Sequence, residues 1–185
     1  MYGTWLPGDP RESITSVHDY RKGDEPTPFR FEHDMPGEPW EESLPGLYGA
    51  ALKQLKGPPI HFDLERAEVV LAQFQETSLH RGWTLDAVAV MHNHFHLVVR
   101  VADDPSPTKI LADFKAYGSR ALNRRYGTPL SETWWTTNGS KRRLKDDEHW
   151  KVAINYVLYK QPNPLVIWSR DLGRLCPKTK RTMVK

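Results

Sequence analysis

The sequence predicts an α+β sandwich, and three observations carry that prediction. Thr84 to Val101 holds two apolar runs meeting at a histidine-rich joint, the pattern of two strands joined by a tight turn. Two stretches, about 64–80 and 107–126, repeat apolar residues at helical spacing. The remaining segments complete an order of strand, helix, hairpin, helix, strand, helix, which fits one mostly antiparallel sheet covered by helices. At 185 residues the chain suits a single domain, 1–185, large enough to bury an ordinary core.

Taken in order, Tyr2-Gly-Thr-Trp-Leu-Pro-Gly-Asp9 reads as a strand end running into a Pro-Gly turn. Residues 18–45 read as a long polar loop. Asp63 is placed to cap a helix whose Leu64, Ala67, Val70, Leu71 and Phe74 share one side, and Arg81-Gly82-Trp83 ends it. After the hairpin, Ser106 is a cap with Pro107 at the first helical position. That helix buries Ile110, Leu111, Phe114, Gly118, Ala121 and Leu122. Its other side carries Lys109, Lys115, Arg120, Arg124 and Arg125, which is either a solvated face or a polyanion contact.

Trp134 to Lys145 then reads as two short extended pieces around an Asn138-Gly139 turn. Trp134 and Trp135 beside Lys141, Arg142, Arg143 and Lys145 combine stacking platforms with phosphate neutralisation, as single-strand binders require. The plainer alternative is a core tryptophan followed by solubilising cations. Asp146, Asp147 and Glu148 suit the N-terminus of a last helix, which runs through Trp150, Ile154 and Val157 toward Pro162. Residues 170–185 read as a basic tail.

Composition narrows the function classes. One cysteine, Cys176, rules out an internal disulfide framework and fits a cytoplasmic protein. No apolar run approaches a membrane span, and the start lacks a signal-peptide pattern. The net charge of +3 conceals an asymmetry. Residues 1–50 carry four Lys/Arg against ten Asp/Glu, whereas 51–185 carry twenty-two against thirteen, so the body is basic enough to attract a polyanion.

Side chains alternate along a strand, so His94, His96, Val98 and Arg100 share one face, and Phe95, Leu97, Val99 and Val101 share the other. The second set is a core face. The first places two imidazoles ~6.5–7 Å apart along the strand, a compact metal half-site that needs a third ligand. If the strand ran straight through, His92 would join them in a closed three-histidine zinc site of the hydrolase type. A turn at Asn93, which its side chain favours, displaces His92 and leaves the pair. On the last helix the apolar stripe is Trp150, Ala153, Ile154, Val157 and Leu158. Tyr156 lies ~200° from Ile154 at the helical pitch, so it is either a surface tyrosine or presented to another element.

Met91-His92-Asn93-His94-Phe95-His96-Leu97-Val98-Val99 resembles the Met-Pro-Asn-His-Phe-His-Leu-hydrophobic signature of the single-tyrosine HUH transposases, in particular the REP-associated tyrosine transposases and insertion-sequence relatives. The resemblance extends to Tyr2-Gly-Thr-Trp-Leu-Pro-Gly8, Arg81-Gly82-Trp83, Asp113-Phe-Lys-Ala-Tyr117 and Ile154-Asn-Tyr156-Val-Leu-Tyr-Lys-Gln161. It implies a ferredoxin-like α/β sandwich, with two helices backing the sheet and a C-terminal helix bearing the tyrosine. It further implies metal-dependent cutting and joining of single-stranded DNA through a 5′-phosphotyrosine, with hairpin or palindromic DNA as substrate and a homodimer as the working form.

Residue by residue, the resemblance makes Tyr156 the nucleophile, with Tyr159 the competitor, and His94 and His96 the holders of Mg²⁺ or Mn²⁺. Family members usually place an amide four residues after the tyrosine. Here that position is Lys160, a possible assisting cation, and Gln161 comes fifth; Pro162 disfavours helix at Gln161 and frees it to act as third ligand. Lys115, Arg120, Arg124, Trp134, Trp135, Lys141, Arg142 and Arg143 are the expected DNA contacts. Family members also carry a full strand ahead of the Tyr-Gly-Thr-Trp stretch, where this sequence has Met1, so an incomplete first strand is expected. A DNA-binding relative that has lost cleavage is the alternative function.

Overall fold

A computed structural model describes residues 1–4, 6, 45–102, 105–137 and 139–176 of the chain. Four helices and four strands are present among them: α1 (Pro45–Lys53), α2 (Leu64–Arg81), β1 (Thr84–Val90), β2 (Phe95–Arg100), α3 (Pro107–Tyr126), α4 (Asp147–Tyr159), β3 (Val166–Ser169) and β4 (Gly173–Leu175). The strands form one antiparallel sheet in the order β2-β1-β3-β4, giving the α+β fold expected.

The helix boundaries follow the caps. Asp63 accepts from the Arg66 amide at the start of α2, and Gly82 closes it in the left-handed conformation (φ 66°) that a side chain would resist. Ser106 caps α3 with Pro107 in its first turn, and Asp146 caps α4 by accepting from the His149 amide. The hairpin turns at the expected joint, with the Met91 amide donating to the His94 carbonyl (2.8 Å) across His92-Asn93.

The sheet has a core on each face. On one side α2 and α3 cover Leu85, Val88 and Val90 of β1, with Phe95, Leu97 and Val99 of β2 packed against the same cluster. Phe74 of α2 and Phe114 of α3 are fully buried and meet edge to face at 5.2 Å. On the other side α4 lays Val157 and Leu158 against Ala87, Ala89, Met91, Val98 and Ile167. The two alanines leave room for the helix to approach the strand closely, so β1 is buried throughout from Leu85.

The ladder between β1 and β2 is interrupted once. Between Leu85 and Ala87 the register shifts, so Asp86 is an extra residue, a β-bulge. Its carboxylate is 3% exposed and accepts two bonds from the Arg100 guanidinium (2.8 Å each) and one from the Trp150 indole of α4 (3.0 Å). Arg170, after β3, adds a 3.7 Å ion pair to the same group. A carboxylate buried at this depth is tolerated only with such partners. The bulge therefore pins β1, β2, α4 and the end of β3 together.

Several expectations are corrected. Residues 1–4 are not a strand, although the Tyr2 amide donates to the Trp134 carbonyl and its own carbonyl accepts from Ile60. The described part of 134–145 is irregular, not two extended pieces: Trp134 and Trp135 pack into the core, and the backbone joins no strand of the sheet. The segment beginning at 170 is not simply a tail: β4 pairs with β3 through Ile167–Leu175 to Ser169–Gly173. The strands β3 and β4 and the helix α1 are additions to the predicted order. The polar loop read over 18–45 lies, apart from Pro45, outside the described residues, as do the Pro7-Gly8 turn, Asn138 and residues 177–185.

Candidate active site

The histidine face of β2 is the face that α4 covers, and this brings the two motif regions together. The rings of His94 and His96 stand perpendicular (88°) with centroids 5.0 Å apart. Tyr156, outside the apolar stripe of α4, meets the His96 ring edge to face at 5.5 Å. Tyr156 is 50% exposed, so the phenol borders both the imidazole and solvent.

Local structure holds His94 in one orientation. Asn93 is buried in the turn, its carbonyl accepting from Thr4 Oγ1 (3.1 Å) and from the Met1 amine. The Asn93 side-chain oxygen lies 2.6 Å from His94 Nδ1, and an amide oxygen can only accept, so Nδ1 carries the proton. The Nε2 lone pair is thereby left for a ligand, the arrangement typical of metal-binding histidines. Burial, then the neighbouring His96, the Met1 amine and His92, push the His94 imidazole down to about 4. Burial also lowers His96. Both rings are neutral at pH 7, the form that coordinates metal.

The pair fits a divalent ion: two neutral imidazoles on one strand face, one of them oriented by Asn93, with an amide residue on the chain leaving α4. Gln161 has left the helix, which ends at Tyr159, as Pro162 dictates. Its Nε2 donates to the Tyr156 carbonyl (3.1 Å), tying it to the tyrosine's own turn. That bond is to the backbone and not to either imidazole. Lys160 forms the helix cap, its amide donating to the same carbonyl, and its side chain is exposed. Tyr159 is exposed too, but its ring makes no contact with the histidine pair among the described residues.

The three-histidine zinc site does not form. His92 turns away to stack on His61, with centroids 5.5 Å apart and planes 16° from parallel. Among the described residues no three His, Cys, Asp or Glu side chains converge on a metal position.

The expected DNA contacts divide. Trp134 and Trp135 are only 5% and 6% exposed and belong to the α2/α3 core, so neither offers a stacking face. Trp134 donates to Asn123 Oδ1, and Trp135 to the Lys115 carbonyl and Ser119 Oγ. The close fit of Trp135 over α3 depends on Gly118, where a Cβ would lie 3.1 Å from the indole. Arg120 and Arg124 are exposed, Arg120 over the Tyr117 ring at 4.9 Å and Arg124 on Gln73 Oε1 at 3.2 Å. Lys115 is half-buried, donates to the Thr136 carbonyl (2.8 Å), and is pushed down by burial and by Lys141. It lines an open depression of about 460 Å³ with Ser119, Thr133, Trp135 and Thr136. Arg142 and Arg143 are exposed, and Lys141 is half-buried.

Asp86, Asn93 and His61 matter to the site and were not foreseen in these roles. Asp86 left a signal, a lone carboxylate in an otherwise apolar strand, which is the mark of a paired buried acid. His61 left none, because its neighbour His92 is thirty-one residues away.

Residues 61–142 match the family model described as Transposase IS200 like. The matched span holds α2, α3 and the His94–His96 strand, and stops before Tyr156 and Gln161. No curated protein and no solved structure matches the chain. Over residues 61–142, the span that holds the histidine hairpin, the chain is similar to the IS200-like transposase family.

Proposed function

We propose that this chain nicks and rejoins single-stranded DNA with Tyr156 as nucleophile. The observation that carries the reading is the 5.5 Å contact between the Tyr156 and His96 rings, formed within one chain by elements sixty residues apart in sequence. The phenolic oxygen attacks the scissile phosphorus, a Tyr–O–P bond forms, and the bond from phosphorus to the 3′ oxygen breaks. The phenol's proton passes to solvent and the departing oxygen takes one up, leaving a 5′-phosphotyrosine and a free 3′-OH. Attack by another 3′-OH reverses the step, so joining needs no external energy source.

His94 and His96 would hold Mg²⁺ or Mn²⁺, with the Gln161 side-chain oxygen as third ligand. The ion would supply Lewis-acid polarisation of the scissile phosphate. Asn93 fixes the His94 tautomer, and the Asp86 anchor on Trp150 fixes the helix that presents Tyr156. Arg120, Arg124, Arg142 and Arg143 supply exposed charge for the DNA backbone. Hairpin or palindromic single strands are the proposed substrate, a homodimer the working form, and the cytoplasm the compartment. Among the described residues no helix is long and apolar enough to cross a membrane.

A binding-only relative of the same fold is the second reading, favoured by one observation: the Gln161 amide is engaged on the Tyr156 carbonyl. A library of single-stranded hairpins incubated with Mn²⁺ separates the two. Cleavage with a covalent adduct on a denaturing gel is expected. Binding without cleavage or adduct across the library supports the second reading instead.

A further inference from the structure

We propose that the depression between α3 and the segment from Thr133 to Thr137 seats one phosphodiester of a bound single strand, away from the scissile position, with Lys115 as its principal cation. From the nuclease reading this takes only that the ligand is single-stranded DNA. The depression is open, about 460 Å³, and Lys115 and Ser119 of α3 face Thr136 and Thr137 across it. The Lys115 ammonium is held in place: it donates to the Thr136 carbonyl (2.8 Å), and a Cβ at Gly139 would lie 3.7 Å from it.

Charge and hydroxyls together favour an anion here. Burial pushes the Lys115 ammonium down, and Lys141 is near enough to push it the same way. Two ammoniums brought close repel each other, and an anion beside them offsets that repulsion. Thr137 is exposed at the rim, and Ser119 Oγ accepts from the Trp135 indole, so each hydroxyl has a proton to offer a phosphate oxygen. The Trp135 ring is buried and presents no face, so the depression suits a phosphate and not a stacked base. Because it is open, a strand can run through it and need not end there. Its place in the fold suits a strand that has passed the histidine pair. β2 is an edge of the sheet, and the ring of Phe95, between His94 and His96 in the chain, meets Trp135 at 5.6 Å. A strand leaving the histidines can therefore turn round that edge onto α3.

The test measures binding of a fluorescein-labelled oligothymidylate to the full chain over a range of salt concentrations, without divalent metal so that nothing is cut. Lys115→Gln is expected to reduce the slope of log affinity against log salt by about 0.7, the share of one single-strand phosphate. Thr137→Ala, which removes no charge, is expected to weaken binding a few-fold at unchanged slope. Circular dichroism checks that each variant is folded, and Lys141→Gln gives a second reading of the slope should Lys115→Gln unfold. The Trp135 indole N–H, 2.8 Å from the Lys115 carbonyl, is expected to shift in the NMR spectrum when the oligonucleotide binds wild type and to stay in place in Lys115→Gln. A 5′-phosphate on the oligonucleotide is expected to change nothing; a gain in affinity that needs both it and Lys115 would put a terminal phosphate there and overturn the diester. Binding with an unchanged slope in the lysine variants overturns the seat and leaves the nuclease reading standing. No binding to wild type even at low salt removes the single-strand ligand on which both rest.

Discussion

The Tyr156 ring stands nearly perpendicular (82°) to the His96 ring at 5.5 Å between centroids. Both residues lie on one chain, so the contact needs no second copy. It arises because α4 packs its Val157–Leu158 side on the same sheet face that carries His96 and Val98. Tyr156 is half exposed, so loss of its hydroxyl should cost under about 0.5 kcal/mol of stability. Tyr156→Phe is accordingly expected to unfold at the wild-type temperature, bind single-stranded DNA, and lose cleavage by roughly a thousandfold or more. Tyr159→Phe is expected to keep cleavage within a few-fold. Equal loss in both variants would remove Tyr156 from its role.

Asn93 fixes the His94 tautomer through the 2.6 Å contact at Nδ1. Asn93→Ala is expected to weaken Mn²⁺ binding by about 10–100-fold, the usual effect of removing such an orienting partner. His94→Ala is expected to abolish it. Calorimetric titration with Mn²⁺ ranks the variants, and wild-type affinity in Asn93→Ala would show that the hydrogen bond does not orient the ring.

The Asp86 anchor predicts a stability effect coupled to the site. Asp86→Ala removes the acceptor of the half-exposed Arg100 and of the Trp150 indole, and is expected to cost about 1.5–3 kcal/mol. Trp150→Phe removes a hydrogen bond to a charged group while keeping most of the apolar contact, and should cost about 1.5–3 kcal/mol. Under conditions where Trp150→Phe remains folded, cleavage should fall, and Mn²⁺ affinity should fall by less than in His94→Ala, because two of the three proposed ligands, His94 and His96, lie at β2 and only Gln161 follows the loosened helix. Denaturant unfolding with parallel Mn²⁺ titration checks both.

Folding should also depend on pH through His94. Its imidazole titrates near 4 in the folded chain, against an ordinary value of ~6.5 when unfolded. Between those values the unfolded state binds the additional proton, so this contribution is fully present above about 6.5 and is lost as pH falls toward 4. Melting temperature measured from pH 7.5 to 4.5 should drop more steeply in wild type than in His94→Gln. Parallel curves would show that the ring does not carry this proton linkage.

Trp135 supplies a contrast between core and nucleic-acid roles. Trp135→Ala should destabilise the fold by about 3–5 kcal/mol, because it empties space against Phe62, Phe95 and Gly118. DNA affinity of whatever fraction remains folded should be unchanged. Arg142→Ala with Arg143→Ala should do the reverse, leaving stability within about 0.5 kcal/mol and flattening the salt dependence of DNA binding. Equilibrium unfolding beside binding isotherms at two salt concentrations separates the effects.

What the sequence made legible was what local pattern determines. The hairpin showed as two apolar runs meeting at His92-Asn93, and α2, α3 and α4 each carried their own cap and stripe. The position of Tyr156 outside its stripe was readable from helical pitch, but not what it would face, since that depends on which side of the sheet α4 covers. β3 and β4 are four and three residues long, too short for a periodic signal, and they extend because β1 and then β3 offer an edge. The tryptophans misled for a similar reason. Their neighbours in sequence are cations, whereas their neighbours in space are Phe62 and Phe95.

The most direct measurement is the site of covalent attachment. Wild-type protein incubated with Mn²⁺ and a cleaved single-stranded hairpin, then digested with nuclease and trypsin, yields a peptide spanning residues 152–160 that contains both tyrosines of α4. Fragmentation mass spectrometry is predicted to place a nucleotide phosphate on Tyr156 and none on Tyr159. A phosphate on Tyr159, or an unmodified peptide when the DNA has been cut, would contradict the account.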